Sequence, residues 1–274
     1  MNRQFETPEP IDLYVEIGKG TVEVAARETS TSTVDITGRD ADEVEVTFES
    51  GRLSIIAPKD QGGWFSGRDR ELHVEVALPT GSNAGVKTGS ADIKLDGQLG
   101  EGRIKTGSGD VTCDTFAGAA RIGTGSGDVE VSEAHAELQI KSGSGDISIG
   151  TSVGKLNVST GSGDVEVGTT NDNAVVKTGS GDLKVVTSNA DLSMSTGSGD
   201  VTVTTARRGR VSVKGASSDL SIGIPSGTPV WTDINTVTGS IRSNLGGVGA
   251  PQEGQEHVQL EARTVSGDIT LREV

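Results

Sequence analysis

Short runs of alternating apolar and polar residues extend over most of the chain, with turn residues between the runs. Val165 and Val167 follow one glycine-rich turn, and Leu156 and Val158 precede it. A period of two is typical of strands that bury one face. Apolar residues at helical spacing are absent, and 40 glycines would weaken any long helix. The pattern therefore predicts an all-β fold.

This alternation belongs to an internal repeat that ends in an aspartate. The copies lie 18 residues apart from Asp92 to Asp200, and a further copy follows 19 residues later at Asp219. Two strands of about five residues and two tight turns fill one repeat, so each repeat makes one coil. Equivalent strands of successive coils then pair in parallel, about 4.8 Å apart. The sequence predicts a single-stranded parallel β-helix, a β-solenoid, with 18-residue coils.

The repeated turn has Thr or Ser followed by Gly-Ser-Gly-Asp. We expect its glycines to allow positive φ and to leave room for the coils above and below. The flanking copies, TGSAD at 88–92 and GASSD at 215–219, depart from this sequence, as terminal repeats commonly do. The six complete copies end at Asp110, Asp128, Asp146, Asp164, Asp182 and Asp200.

The presence or absence of the 18-residue spacing divides the chain into three sections of one continuous domain. Residues 1–84 form irregular N-terminal coils and a cap, including a hairpin from Val44 to Ile56 around Glu49-Ser50-Gly51. Residues 85–223 form the regular solenoid. Residues 224–274 form irregular C-terminal coils and a closing cap, because open ends of a solenoid expose unpaired strand edges.

Charge narrows the range of partners. The formal net charge of −15 disfavours contacts with phosphate backbones and with anionic membranes. The first residues lack the apolar segment of a signal peptide, and no apolar run is long enough to span a membrane. We expect a cytoplasmic protein, with the cell surface as the alternative if a leader was removed. The single cysteine, Cys113, occupies an inward strand position and is expected to be buried.

The aspartate ladder is the strongest candidate for chemistry, because stacked like charges repel and something must offset that repulsion. One interpretation is calcium bound between turns by Asp110, Asp128, Asp146, Asp164, Asp182 and Asp200. The other is structural, with each carboxylate accepting hydrogen bonds from its own turn. We expect the structural role, with no cofactor. Lysines also recur five residues before the aspartate, at Lys87, Lys105, Lys141, Lys177 and Lys214.

Catalysis finds little support in the sequence. The histidines, His73, His135 and His257, stand in unrelated contexts, and short coils provide no cleft for an acid and a base. The glycine-rich loop 59–70 contains Trp64 and Phe65, which either plug the solenoid end or contact a partner. This pair is the predicted partner contact.

The repeated TGSGDV units, the segment SGTPVWTDINTVTGSIRSNL and the closing TVSGDITL resemble the DUF4097 family of β-strand repeats, whose members are also labelled candidate adhesins. The resemblance is strongest from Gly85 to the end. It implies a single-stranded parallel β-helix that is right-handed, in agreement with the usual hand of parallel crossovers. It implies no established activity and no catalytic residues.

These observations predict a non-enzymatic β-solenoid that acts as a scaffold or protein-interaction module. Its partner would be a protein that the sequence does not identify, and the chain itself would be a monomer or a weak homo-oligomer. Two alternatives stay open at this stage. One is an adhesin-like surface binding protein, and the other is a calcium-stabilised β-roll.

Overall fold

The computed structural model describes residues 1–58, 71–247, 249, 251–252 and 254–274. Strands account for nearly all of the regular structure, and a 3₁₀ turn at Ala41–Glu43 is the one helical element among these residues. The predicted all-β fold is confirmed. The chain divides into two compact units, Met1–Ala136 and Glu137–Val274.

The first unit contains two sheets, with strand orders β1-β4-β7-β3-β9-β11-β13 and β12-β10-β8-β2-β6-β5. Most neighbours are parallel; β1 with β4, β4 with β7, and β5 with β6 are antiparallel. The strands are β1 Asn2–Glu6, β2 Asp12–Ile17, β3 Lys19–Arg27, β4 Thr31–Gly38, β5 Glu45–Glu49, β6 Arg52–Ile56, β7 Glu71–Pro79, β8 Asn83–Thr88, β9 Asp92–Leu99, β10 Gly102–Lys105, β11 Val111–Phe116, β12 Ala120–Thr124 and β13 Val129–Ala134.

The second unit also contains two sheets, with orders β15-β17-β19-β21-β23-β27-β25 and β14-β16-β18-β20-β22-β26-β24. The strands are β14 Leu138–Ser142, β15 Ile147–Ser152, β16 Leu156–Thr160, β17 Val165–Thr170, β18 Ala174–Thr178, β19 Leu183–Ser188, β20 Leu192–Ser198, β21 Val201–Ala206, β22 Gly209–Ser217, β23 Leu220–Ile224, β24 Val230–Thr238, β25 Ile241–Ser243, β26 Val258–Ser266 and β27 Ile269–Glu273.

The core consists of columns of stacked aliphatic side chains. In one sheet Val165 pairs with Leu183, which pairs in turn with Val201. In the other, Leu156 pairs with Ala174. All five side chains are almost fully buried. Small and β-branched residues fill the narrow space between two sheets, so a chain with 3% aromatic residues still forms a core.

The N-terminal section contains the expected hairpin. Strands β5 and β6 pair as Glu49 with Arg52, and the turn between them places Ser50 at φ 50° and Gly51 at φ 76°. At the outer edges of the two sheets, the ring of Phe5 on β1 lies 5.4 Å from the ring of Phe48 on β5. This tilted aromatic contact joins the edge strands of the two sheets.

The C-terminal section has a spatial order that differs from its order in the sequence. Strand β26 lies between β22 and β24, and β27 lies between β23 and β25. The last strands of the chain are therefore internal, and β24 and β25 form the edge. Their inward residues explain the order, because β26 buries Val258, Leu260 and Ala262 completely, whereas β24 has Thr232 opposite Leu260.

Candidate functional site

The repeated turn is closed by the hydroxyl of its first residue. The backbone N–H of Gly127 donates to Oγ1 of Thr124 at 2.9 Å, and the N–H of Gly163 donates to Oγ1 of Thr160 at 3.2 Å. Both threonines are buried. A buried hydroxyl thus satisfies a turn N–H that would otherwise have no partner.

The two glycines of the motif are required by close stacking. A Cβ atom on Gly125 would lie 2.4 Å from the carbonyl oxygen of the glycine one coil earlier, and one on Gly127 would lie 1.9 Å from such an oxygen. Both distances are far inside van der Waals contact. Positive φ adds to this requirement at Gly181 (148°) and Gly199 (121°). Space for the neighbouring coil is therefore the more general reason for these glycines.

The aspartates form a ladder between coils. In each rung, Oδ1 of one aspartate accepts a hydrogen bond from the backbone N–H of the aspartate in the next coil, as in the 2.7 Å bond from Asp182 N–H to Asp164. The expected partner was the N–H of the same turn, which the motif's Thr or Ser occupies instead. Further rungs are Asp110 to Asp92, Asp128 to Asp110, Asp164 to Asp146, Asp200 to Asp182, Asp219 to Asp200 and Asp268 to Asp219, at 2.8–3.0 Å except for 2.7 Å at Asp200.

This geometry gives the carboxylates a structural task. A hydrogen bond to a charged acceptor is stronger than a neutral one, and it offsets part of the repulsion between stacked charges. In the described residues, no three His, Cys, Asp or Glu side chains are grouped in a way that could hold a metal ion. Calcium binding by the ladder, the alternative interpretation of the sequence, stays untested.

The ladder ends at the edge coil. The Asp268 carboxylate accepts the backbone N–H of Ser240 at 2.8 Å and lies 3.1 Å from the Arg242 guanidinium. These contacts, the Ser240 N–H first, lower the pKa of Asp268. Ser240 occupies the position that an aspartate would have in the next rung, and its Oγ is buried without a hydrogen-bond partner among the described residues.

A basic patch lies on the outer face of one sheet in the first unit. Arg103 on β10 pairs in register with Arg121 on β12, and Lys105 pairs with Lys87 on β8. Lys87 lies 2.9 Å from Glu16, a contact that raises the lysine pKa. In the described part of the chain, Arg103, Lys105 and Arg121 have no ion pair. We call these four cations the basic patch.

The outer face of the other sheet in this unit is acidic. Glu23 on β3 pairs with Glu75 on β7, which pairs with Asp35 on β4. The first unit thus has a local cluster of cations on the outer face of one sheet and a local cluster of carboxylates on the outer face of the other. Sequence reasoning found the lysines of the basic patch but missed Arg103 and Arg121, since their common face follows from the strand register.

The remaining predicted residues lie apart from one another. Cys113 is buried, as expected, and desolvation raises the pKa of its thiol. His73 hydrogen-bonds Thr21, and His135 lies 3.3 Å from Glu133, in a different part of the first unit. Trp64 and Phe65, the predicted partner contact, lie outside the described residues. No helix in the described part of the chain is long and apolar enough to cross a membrane.

Stacked parallel strands with one glycine turn per coil define a repeat protein of the all-β class. The chain belongs to the Toastrack DUF4097 family, whose model matches residues 10–190. The family expected from the turn motifs is confirmed.

Solved structures of low sequence identity resemble the chain along its whole length. A candidate adhesin from Bacteroides fragilis is 11% identical, with 99% of this chain and 96% of that chain covered and a TM-score of 0.40. A candidate lipid-binding protein from Parabacteroides distasonis is 12% identical, with 99% and 96% covered and a TM-score of 0.36. A candidate adhesin from Parabacteroides merdae is 10% identical, with 99% and 95% covered and a TM-score of 0.30. No curated protein matches the chain.

Proposed function

We propose that this chain is a non-enzymatic β-solenoid scaffold, built of right-handed coils of 18 residues, that binds an acidic protein through a flat sheet face. Membership of the Toastrack family supports the solenoid. Residues that pair across the regular strands stand 18 positions apart in sequence, as Val165 and Leu183 do, which supports the coil length.

The basic patch is the observation that carries the proposed binding function. Like charges at 4 Å repel by about 1 kcal/mol in water, so Arg103, Arg121 and Lys105 on neighbouring strands oppose folding slightly. Their side chains are exposed, and no described carboxylate pairs with them. A partner that places carboxylates over the patch would remove this repulsion and gain charge-assisted hydrogen bonds.

The flatness of the patch also favours a protein surface as the occupant. Gly85 and Gly123 stand beside Arg103 and Lys105 in the strand register. A Cβ on Gly123 would meet nothing within 4 Å, so the face beside Lys105 is open, and the ring of Tyr14 borders the patch beyond Gly85. The strongly acidic chain disfavours nucleic acid, which needs basic charge over a wider surface.

The experiment compares two double variants with the same change in charge. Arg103→Glu with Arg121→Glu reverses the patch, and Arg3→Glu with Arg39→Glu reverses two exposed arginines elsewhere in the first unit. Each variant, fused to a proximity-labelling enzyme, is expressed in the source cell and its labelled proteins are quantified. We expect one or more acidic proteins to be lost with the patch variant only, and to dissociate in vitro as salt rises. Equal labelling by both variants would overturn the proposed binding face.

A further inference from the structure

Strand β24 presents an open edge. Val258 N–H on β26 donates to the carbonyl of Pro229, so odd-numbered residues from Pro229 onward direct their backbone groups toward β26. The even-numbered residues from Val230 to Thr236 direct theirs away from it, whereas the carbonyl of Thr238 accepts the N–H of Gly267, directly after β26. No described strand lies on that side. Residues 230–238 also contain no Pro or Lys, which commonly protect sheet edges from pairing.

Exposed apolar side chains are concentrated along the same edge. On the outer face of β24, Trp231 is 69% exposed and Val237 is 72% exposed. Val265, 56% exposed, lies on β26 between Thr264 and Ser266, which pair with Thr236 and Thr238. By contrast, the edge strands of the first unit have Phe5 against Phe48. A tryptophan and two valines exposed together along one strand edge are unusual for a monomer and indicate an interaction surface.

The edge of β24 is poorly suited to a further solenoid coil that would pair with it in parallel. Each regular coil offers an Asp carboxylate to the N–H of the next coil, and the edge coil has Ser240 at that position. Thr232, at an inward position, offers an incoming coil a hydroxyl where Leu260 of the preceding coil has an aliphatic side chain. The edge therefore lacks two features by which each regular coil receives the next one.

The residues of β24 are instead complementary to themselves in the antiparallel direction. With a two-fold axis at Ile234, each residue faces the one equally far on the other side of Ile234 in a second copy. Trp231 then faces Val237, and Asp233 faces Asn235. Aromatic and β-branched side chains are a favourable cross-strand pair, and an amide can donate to the facing carboxylate.

The backbone groups agree with this register. From Val230 to Thr236, the residues whose N–H and C=O point away from β26 are even-numbered, and the axis at Ile234 pairs Ile234 with itself and Thr232 with Thr236. They would form the hydrogen-bonded pairs of an antiparallel ladder, whereas Trp231 and Val237 would form a closer non-hydrogen-bonded pair. Charge presents no obstacle, because Asp233 is held 2.8 Å from Arg263 and faces a neutral residue.

We propose that two copies of this chain form a two-fold symmetric dimer by antiparallel pairing of β24 with β24, centred on Ile234. The pairing closes the open edge and buries Trp231 against Val237. An isologous contact of this kind is self-limiting, so it produces dimers and not filaments.

Sedimentation velocity over a range of protein concentrations tests the association. We expect a dimer for the unaltered chain and for Val265→Lys, whose valine is exposed on the neighbouring strand. Val237→Lys loses the contact with Trp231 and places a charge at the new interface, so its dissociation constant should rise about tenfold or more. A chain that stays monomeric at all concentrations, or equal behaviour of the two lysine variants, would overturn the proposal.

Cross-linking tests the register. In the proposed dimer, positions 231 and 237 of different copies are adjacent, whereas two copies of position 231, or of position 237, are about 20 Å apart. A mixture of Trp231→Cys and Val237→Cys chains should therefore form disulfide-linked dimers under mild oxidation, and neither variant alone should form them. The buried Cys113 does not interfere. Cross-linking within either variant alone, or none in the mixture, contradicts pairing centred on Ile234.

Discussion

The regular coils and the edge coil of the second unit use the same turn in different ways. In the regular coils, a glycine faces the preceding coil and an aspartate carboxylate faces the next. The edge coil keeps the glycine, since a Cβ on Gly239 would lie 2.0 Å from the carbonyl oxygen of Gly267, but replaces the aspartate with Ser240. The edge coil therefore keeps the glycine that faces the preceding coil and lacks the aspartate that would face a further coil.

The first copy of the repeat differs from the regular motif in the opposite way, because it keeps the aspartate and lacks the glycine. TGSAD keeps Asp92, which accepts the N–H of Asp110 in the following coil, and has Ala91 at the glycine position that faces backward. Ala91 and Ser240 therefore replace motif residues on opposite sides of their coils. GASSD at 215–219 does not follow this pattern, because it has Ser218 at the glycine position although its strands β22 and β23 pair with coils on both sides.

The largest effect is expected at the glycine that faces the preceding coil. Gly127→Ala places a Cβ 1.9 Å from a carbonyl oxygen, so the coils must separate locally, and we expect unfolding free energy to fall by about 3 kcal/mol or more. Gly123→Ala, in the same coil, meets nothing within 4 Å and should leave stability unchanged or raise it slightly. Denaturant unfolding followed by circular dichroism measures both; similar values for the two variants would refute the close-stacking explanation.

The second largest difference in unfolding free energy is expected between a core position and its register partner at the edge. Ile269 and Ile241 are register partners, and Ile269 is fully buried whereas Ile241 is 45% exposed. Ile269→Ala should cost about 2–5 kcal/mol, because it leaves a cavity. Ile241→Ala should cost less than about 1 kcal/mol in the monomer, because the edge position is half solvated before the change. Equal losses in denaturant unfolding at low protein concentration would show that the edge is covered in solution.

The columns of the regular coils could be predicted from the sequence because they depend on a local period. Alternation fixes which of Val165, Glu166 and Val167 face inward whatever else the chain does. The DUF4097 resemblance and the β5–β6 hairpin rest on equally local signals.

The order of the C-terminal strands could not be predicted in the same way. VWTDIN and VQLEAR both alternate, and either could take the internal place. The outcome depends on a competition for burial that Leu260 wins over Thr232. The acceptor role of the aspartates was predicted, but the donor was not, since the direction of a backbone N–H at a turn is set by how the coils stack.

A smaller effect is expected for a rung of the ladder. Asp182→Ala removes the acceptor for the N–H of Asp200 and should cost about 1 kcal/mol. Asp182→Asn keeps an oxygen acceptor and relieves repulsion from the neighbouring carboxylates, so it should be nearly neutral. Ser240→Asp, which adds a rung with no coil beyond it, should give no gain. Loss of stability in Asp182→Asn equal to that in Asp182→Ala would show that the charge itself is needed, for example by a bound cation.

The smallest effect is expected from calcium. The ladder carboxylates direct Oδ1 to backbone N–H groups of the next coil, and a cation bound between rungs would have to compete with those hydrogen bonds. A thermal melt in excess EDTA should therefore match one in millimolar calcium at constant ionic strength, with magnesium as the matched control. A calcium-specific rise of several degrees would mean that the native state binds the ion more tightly than the unfolded chain does. The same melt on Asp164→Asn with Asp182→Asn would then decide whether the ladder holds it, since only a ladder site would lose the rise.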